Sequence, residues 1–503
     1  MFGSRDSGTV NPRSLHNAAR VFFSAVRALF NSLFSIDLRS LAVFRIVIAG
    51  IVLVDLLSRA QFIEANYTEA GVMPLRFLPP MDRYLSLHAI SGHYTFQVLL
   101  FLIAACSALL MLVGYRTRLF TLLTWLLTVS LHCRNTALLD GADTLHASLM
   151  LWGIFLPLGA RWSIDARRGR SRNVTGSAVL SSASVTLLLQ FVFYYVTTGL
   201  AKSGDDWHVT GKAVEMALSQ DYWVRPFGAY MRQYPELLRV LTPTVVCFER
   251  IAPFLLFVPI YTGRVRMVVI AFFWLFVLGL GSAIQLNLMP WISTAATLPF
   301  LPSSFWDFLL KRGTATGVSR GPGMKAIISS PRRNAKLYVA EQVLVVVLMV
   351  YVAATIPLPI GSSHTSKMQD AASRLGLNLV WVMYAPPPST DLAQDVVATL
   401  EDGSVVHLLA AESEDHWKHI LRIHRSYRFK CYMESSMRYP AKARQHLSWL
   451  AREWESHREH PRLLVNLKVY VDVSQILSPN ASHRYLMAEL TENDLPELRM
   501  QYH

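Results

Sequence analysis

Apolar residues gather into nine blocks, near 40–58, 96–114, 119–133, 144–160, 177–201, 240–262, 265–284, 286–302 and 337–357. Most run roughly 15 to 25 residues, the length at which a helix rising 1.5 Å per residue crosses about 30 Å of hydrocarbon. The pattern predicts nine membrane-crossing helices. The third and eighth blocks are short or interrupted, the eighth by Pro290 and Pro299, which predicts a tilted or partly re-entrant course there. Ahead of the first block, Phe22, Val26, Leu29, Phe30 and Leu33 recur at helical spacing between Arg20 and Arg27, as in an interfacial amphipathic helix. Residues 311–336 are dominated by Gly, Ser, Pro and basic residues and read as a loop. After 358 the pattern changes. Val396–Leu400 and Val405–Leu409 flank Glu401-Asp402-Gly403-Ser404, a hairpin signal, followed by a helical stretch over 441–458 and a β-rich run over 463–473. The expected fold is an all-α polytopic membrane bundle of about nine spans followed by a small α+β extracytoplasmic domain. Its expected parts are an interfacial segment (1–36), a membrane domain (37–305), a basic cytoplasmic loop (306–336), a last span (337–357) and an outer domain (358–503).

Composition supports this reading. Of 503 residues, 52% are hydrophobic and only 16% charged, against about 25% charged in soluble domains, which excludes an ordinary water-soluble enzyme. A formal charge of +14 would suggest nucleic acid in a soluble protein, but here its distribution is more telling. With the N-terminus in the cytoplasm, the loops on that side carry 21 Lys and Arg and the outside loops before the last span nine, as the positive-inside rule requires. An odd number of spans then puts the C-terminal part on the opposite face. A bacterial cytoplasmic membrane is the favoured location, or the endoplasmic reticulum in a eukaryote. The first apolar block begins too late, and lacks the small-residue pattern, for a cleavable signal. The four cysteines, Cys106, Cys133, Cys247 and Cys431, form neither a disulfide framework nor a zinc spacing.

Ionisable groups at membrane depth are costly and need a reason to persist. Lys202 closes the fifth block and is followed by Asp205, Asp206 and Trp207. A desolvated lysine there can act as a general base, whereas a snorkelling lysine merely anchors the helix end. Between the third and fourth blocks stand His132, Arg134, Asn135, Asp140, Asp143 and His146. Asp143 and His146, three apart, are neighbours on a helix and could orient a polar ligand; the plainer reading is a solvated loop with one core histidine. No metal is expected, because His132 and His146 lack a signalled third ligand. Glu249 and Arg250 point about 100° apart, so each needs a partner on another helix, and Arg45 and Asp55 pose the same requirement. Tyr194, Tyr195, Trp207, Trp223 and Trp291 fall mostly at expected interfaces, where aromatic belts occur without a ligand.

Gly114-Tyr115-Arg116-Thr117-Arg118, the run Phe155–Asp165 ending Trp162-Ser163-Ile164-Asp165, and Gly199–Lys202 with Asp206, Trp207 and Gly211 resemble the horizontally transferred transmembrane (HTTM) family. This is the membrane domain shared with vitamin K-dependent gamma-carboxylase. The resemblance covers about 37–305, and Val380–Pro387 also resembles a segment that follows the last span in bacterial members. It implies a lyase-type carboxylase in which Lys202 deprotonates reduced vitamin K or another lipid quinol. Oxygen then adds, the resulting alkoxide removes the γ-proton of a glutamate in an extracytoplasmic protein or peptide, and the carbanion captures CO2. Animal carboxylases carry a histidine beside asparagine where this chain has Gly141-Ala142-Asp143, with His146 one turn further on. Asp143 and His146 are thus the candidates to act with Lys202, and Tyr195, Trp207 and His132 those to hold the quinol. The alternative is a non-catalytic membrane protein whose pocket binds lipid and whose outer domain recruits a partner. No inverted repeat favours a transporter.

Overall fold

The computed structural model describes residues 12–170, 176–311, 327–328, 335–354, 375, 377, 383–410, 417–456, 463–476, 478–491 and 493–494. The amphipathic helix α1 (Pro12–Phe34) comes first. Every apolar block then falls on a helix: α2 (Leu38–Ala60), α3 (Tyr94–Val113), α4 (Thr117–Arg134), α5 (Gly141–Ile154), α6 (Ser182–Ala201), α7 (Pro235–Leu255), α8 (Thr262–Ala283), α9 (Met289–Thr297) and α10 (Ala335–Ala354). Among the described residues, four of these, α2, α3, α6 and α8, are long and apolar enough to cross a membrane. Their surroundings differ. The apolar windows of α2 and α6 are 61% and 67% buried and form the centre of the bundle, whereas those of α3 and α8 are 33% and 28% buried. Side chains such as Leu99, Leu102, Phe272 and Leu275 therefore face outward, which is stable against lipid and not against water. With nine residues, α9 is only about 13 Å long. It cannot cross alone, in keeping with the interruption by Pro290 and Pro299.

Helix ends follow local chemistry. Asp140 and Ser181 cap α5 and α6 through reciprocal capping boxes with Asp143 and Ser184. Gly114 ends α3 at φ +70°, and a Cβ there would lie 2.4 Å from Ser163 Cβ and 2.7 Å from an Arg45 nitrogen. That crowding explains the two loop motifs. The Asp165 carboxylate accepts the backbone N–H groups of Arg116 (3.0 Å) and Thr117 (2.7 Å), while Arg45 donates to the carbonyls of Leu158 (2.9 Å) and Trp162 (2.7 Å). Arg45 thus satisfies a buried charge with carbonyl oxygens rather than with a carboxylate, and the motifs are structural clasps. Apolar side chains of α1, among them Phe22, Phe23 and Val26, are exposed, and Arg266 ties its end by donating to the Leu33 carbonyl at 2.5 Å.

The C-terminal region contains helices α11 (Lys418–Arg425), α12 (Tyr427–Arg438) and α13 (Pro440–Ser456) and strands β1 (Thr390–Leu400), β2 (Val405–His407), β3 (Leu464–Gln475) and β4 (Ser478–Leu490). The antiparallel sheet has the order β2-β1-β3-β4, and the predicted hairpin turns at Gly403 with φ +78°. Trp417, Phe429, Tyr432 and Trp449 fill its core. Within that core His424 Nδ1 donates to the Ile420 carbonyl (2.8 Å), leaving Nε2 to accept the hydrogen of His446 Nε2 at 2.9 Å. At least one of the two rings is consequently neutral. Burial holds His424 down to about 4, and burial together with His424 holds His446 well below its ordinary value. An unfolded chain titrates these groups near 6.5, so it binds more protons than the folded one below that pH. Stability present above about 6.5 is lost as the pH falls towards 4. Thermal melts of the purified chain should move to lower temperature between pH 7 and pH 5, and His446→Phe should flatten the profile.

Candidate functional site

Two buried ionic clusters stand where the bundle meets the C-terminal region. The first begins with Asp55 and Arg59, one turn apart on α2 and paired at 2.8 Å. Arg59 also donates to the Tyr67 hydroxyl and to Asp143 Oδ1, each at 2.9 Å. Asp143 sits on the first turn of α5, where its other oxygen accepts the Asp140 N–H at 2.9 Å. Arg428, from α12, closes the cluster: it donates to Asp55 Oδ1 and Asp143 Oδ1, each at 2.8 Å, and to Asp143 Oδ2 and the Leu138 carbonyl. Burial opposes the charge of Arg428, yet Asp143, Asp55 and Asp140 outweigh it and hold the guanidinium well above its ordinary pKa. Three carboxylates share two guanidiniums. The deficit falls on Asp140, 3.8 Å from Arg428, whose carboxyl is pushed up to about 6 by burial and then by Asp143.

Two histidines face these carboxylates. His132 Nε2 lies 3.5 Å from Asp143 Oδ1, and His146 bonds the Ile48 backbone through its ring. Neither Nε2 has a hydrogen-bond partner among the described residues, although both are buried. Asp55, His132 and Asp143 bring ligand atoms within 4.8 Å of one another, the spacing of a metal site. Arg59 and Arg428 already bond both carboxylates, so the positive charge there is supplied by guanidinium.

The second cluster surrounds Lys202, the C-cap of α6. Its ammonium donates to Glu249 Oε2 of α7 at 2.6 Å, both side chains being buried, and lies 5.4 Å from the centre of the Trp207 ring. Arg250 donates to the carbonyls of Gly199 (2.8 Å) and Lys202 (3.1 Å), and His208 Nε2 is 3.0 Å from that same Lys202 carbonyl. Trp207 Nε1 donates to the Tyr384 carbonyl at 3.0 Å.

Asp143, His146 and His132 therefore share one cluster, and Lys202 and Trp207 share the other. Among the described residues no hydrogen bond or ion pair joins Lys202 to Asp143 or His146. Tyr194, buried in α6, feels the charges of both Asp140 and Glu249. Tyr195 packs on Phe191 and Phe273, with ring centres 4.9 and 4.8 Å away. Sequence reasoning did not find Arg428, Arg59 or Tyr67. Of these only Arg59 carried a signal, its four-residue spacing from Asp55 at the end of an apolar block.

These features define a multi-pass membrane protein with paired charges buried at one end of its helical bundle. Residues 34–306, more than half of the chain, match the family model of the HTTM domain. The protein belongs to that family. No curated protein and no solved structure matches it.

Proposed function

We propose that the protein is a membrane-embedded, quinol-dependent enzyme of the carboxylase type, with Lys202 as its general base. The observation that carries this reading is the buried Lys202–Glu249 contact of 2.6 Å at the end of α6, beside Trp207. In a dry site the proton of such a pair can pass from nitrogen to oxygen without creating net charge, so Glu249 lets Lys202 present a neutral amine. Arg250 and His208 fix the Lys202 backbone and with it the reach of the amine. The unfilled Nε2 atoms of His132 and His146 suit the hydroxyl groups of a quinol head group, and Trp207 and Tyr195 offer aromatic walls. A bound quinol would supply, with O2, the strong base needed to carboxylate a glutamate with CO2. The role of the chain is to take the first proton at Lys202, exclude water and orient the ring.

The reading places all nine helical blocks in or across the bilayer, with the 21 basic residues of the inner loops in the cytoplasm. A bacterial cytoplasmic membrane fits this arrangement. Residues 358–503 then lie outside, where a peptide substrate would be met. Single cysteines at Ser319, outside the described residues, and at Ser474 should be labelled from opposite sides of intact cells. Labelling from one side would refute this topology.

The catalytic role is tested by incubating purified protein with reduced quinones and following quinone epoxide formation. Lys202→Ala should abolish turnover. Lys202→Arg is the sharper test, since it keeps the charge while its pKa above about 12 forbids it to act as a base. Turnover retained by the arginine variant would exclude the general-base role.

A further inference from the structure

The seam between the bundle and the C-terminal region holds an open pocket of about 860 Å3, lined on one side by Thr136, Ala137 and residues 139–142 at the start of α5 and on the other by α12. That volume is typical of small-molecule sites. Trp223, Tyr384, Tyr439 and the prolines 386–388 supply apolar wall. The charges are unequally matched. Glu434 is paired with Arg438 at 3.0 Å, whereas Asp140 lies 3.8 Å from an Arg428 that already bonds Asp55 and Asp143. Lys442, on the wall, donates only to Ser435 Oγ at 2.6 Å and lies 5.7 Å from the Tyr439 ring centre. Lys430 donates to the wall residue Gln285 (2.9 Å) and to the Tyr222 carbonyl (3.1 Å), with Trp223 at 5.9 Å. Neither ammonium meets a carboxylate among the described residues. Both are half-buried, and burial lowers both pKa values.

A cation that has given up part of its hydration without gaining a counter-charge binds an anion more strongly than a fully solvated one does. We propose that this pocket is a binding site for an amphipathic organic anion, its carboxylate or phosphate held by Lys442, with Lys430 behind the wall residue Gln285, and its apolar part against Trp223, Tyr384 and the prolines. The proposal stands apart from the chemistry at Lys202, and either can fail without the other.

The test uses the full chain in detergent, with thermal melting followed in sodium phosphate, in sodium acetate and in sodium chloride of equal ionic strength. A separate series compares nanodiscs of phosphatidylglycerol and of phosphatidylcholine. Binding to the folded state raises the melting temperature saturably. The expected result is a rise with at least one anion beyond that in chloride or phosphatidylcholine, absent from the Lys430→Gln, Lys442→Gln double variant and kept by Lys442→Arg. Response to phosphate or acetate identifies a soluble anion, and response to phosphatidylglycerol alone identifies a lipid headgroup. An equal rise in the double variant, or no rise with any anion, overturns the proposal. Should the double variant fail to fold, Cys431 on the pocket wall serves as a probe, with Cys106, Cys133 and Cys247 changed to alanine. A sulfonate-bearing methanethiosulfonate should then label Cys431 at least ~3-fold faster than a trimethylammonium-bearing one, because the Lys442 ammonium on the wall attracts anions. Equal rates, or faster labelling by the cation, overturn it.

Discussion

Arg428→Met should destabilise the full chain by about 3–5 kcal/mol, the usual cost of removing one partner from a buried ion pair. The size follows from what is left behind. Asp55 and Asp143 are both buried and would share Arg59 alone, with Asp140 close by. Side-chain volume is nearly conserved, so the loss is electrostatic rather than a cavity. The C-terminal region should also loosen from the bundle, because Arg428 joins α12 to both α2 and α5. Melting in detergent measures the first effect, and limited proteolysis, releasing a C-terminal fragment from the variant and not from the parent, measures the second. Arg428→Lys should fall between, keeping the charge and losing the planar fork that reaches two carboxylates at once. Adding Asp143→Asn to Arg428→Met should recover part of the loss, since the two residues are directly coupled. An Arg428→Met chain that melts within about 1 kcal/mol of the parent would mean that the pair is solvated and worth little.

Lys202→Met and Glu249→Leu should each cost about 3–5 kcal/mol, for the same reason, while the double variant should lie near the parent in stability. This cycle separates two roles that single changes confuse. If the pair is only a staple between α6 and α7, the folded double variant keeps every activity the protein has. If Lys202 is the base, the double variant folds, melts like the parent and forms no quinone epoxide. A cost for the double variant equal to the sum of the two single costs would show that the side chains do not couple across the 2.6 Å contact.

What the sequence disclosed was what short-range pattern governs. Apolar blocks, the hairpin at Gly403 and the helix now bounded at Pro440–Ser456 depend on residues close in the chain, and each was legible. Charges inside apolar blocks were legible as demands for a partner, and Glu249 has one in Lys202, 47 residues away. The identity of that partner was not legible, because spacing carries no information beyond a few helical turns. Arg428 is the extreme case. It lies 285 residues from Asp143 in a polar stretch, where nothing sets it apart from the other basic residues. The clasp in which Asp165 accepts the Arg116 and Thr117 N–H groups was visible as two motifs but not as one contact, since they meet only once α3 has ended in a left-handed turn at Gly114.

The position of Arg428 in the chain also sets an order of assembly. Ribosomes deliver Asp55 and Asp143 to the membrane long before they deliver Arg428, so the newly inserted helices hold an acidic cluster neutralised only by Arg59. The bundle cannot reach its final charge balance until the segment that carries α12 has been made and has folded onto it. Maturation of the membrane part is thus timed by a segment synthesised well after it, and a chain truncated before α12 would keep Asp55 and Asp143 without their second guanidinium.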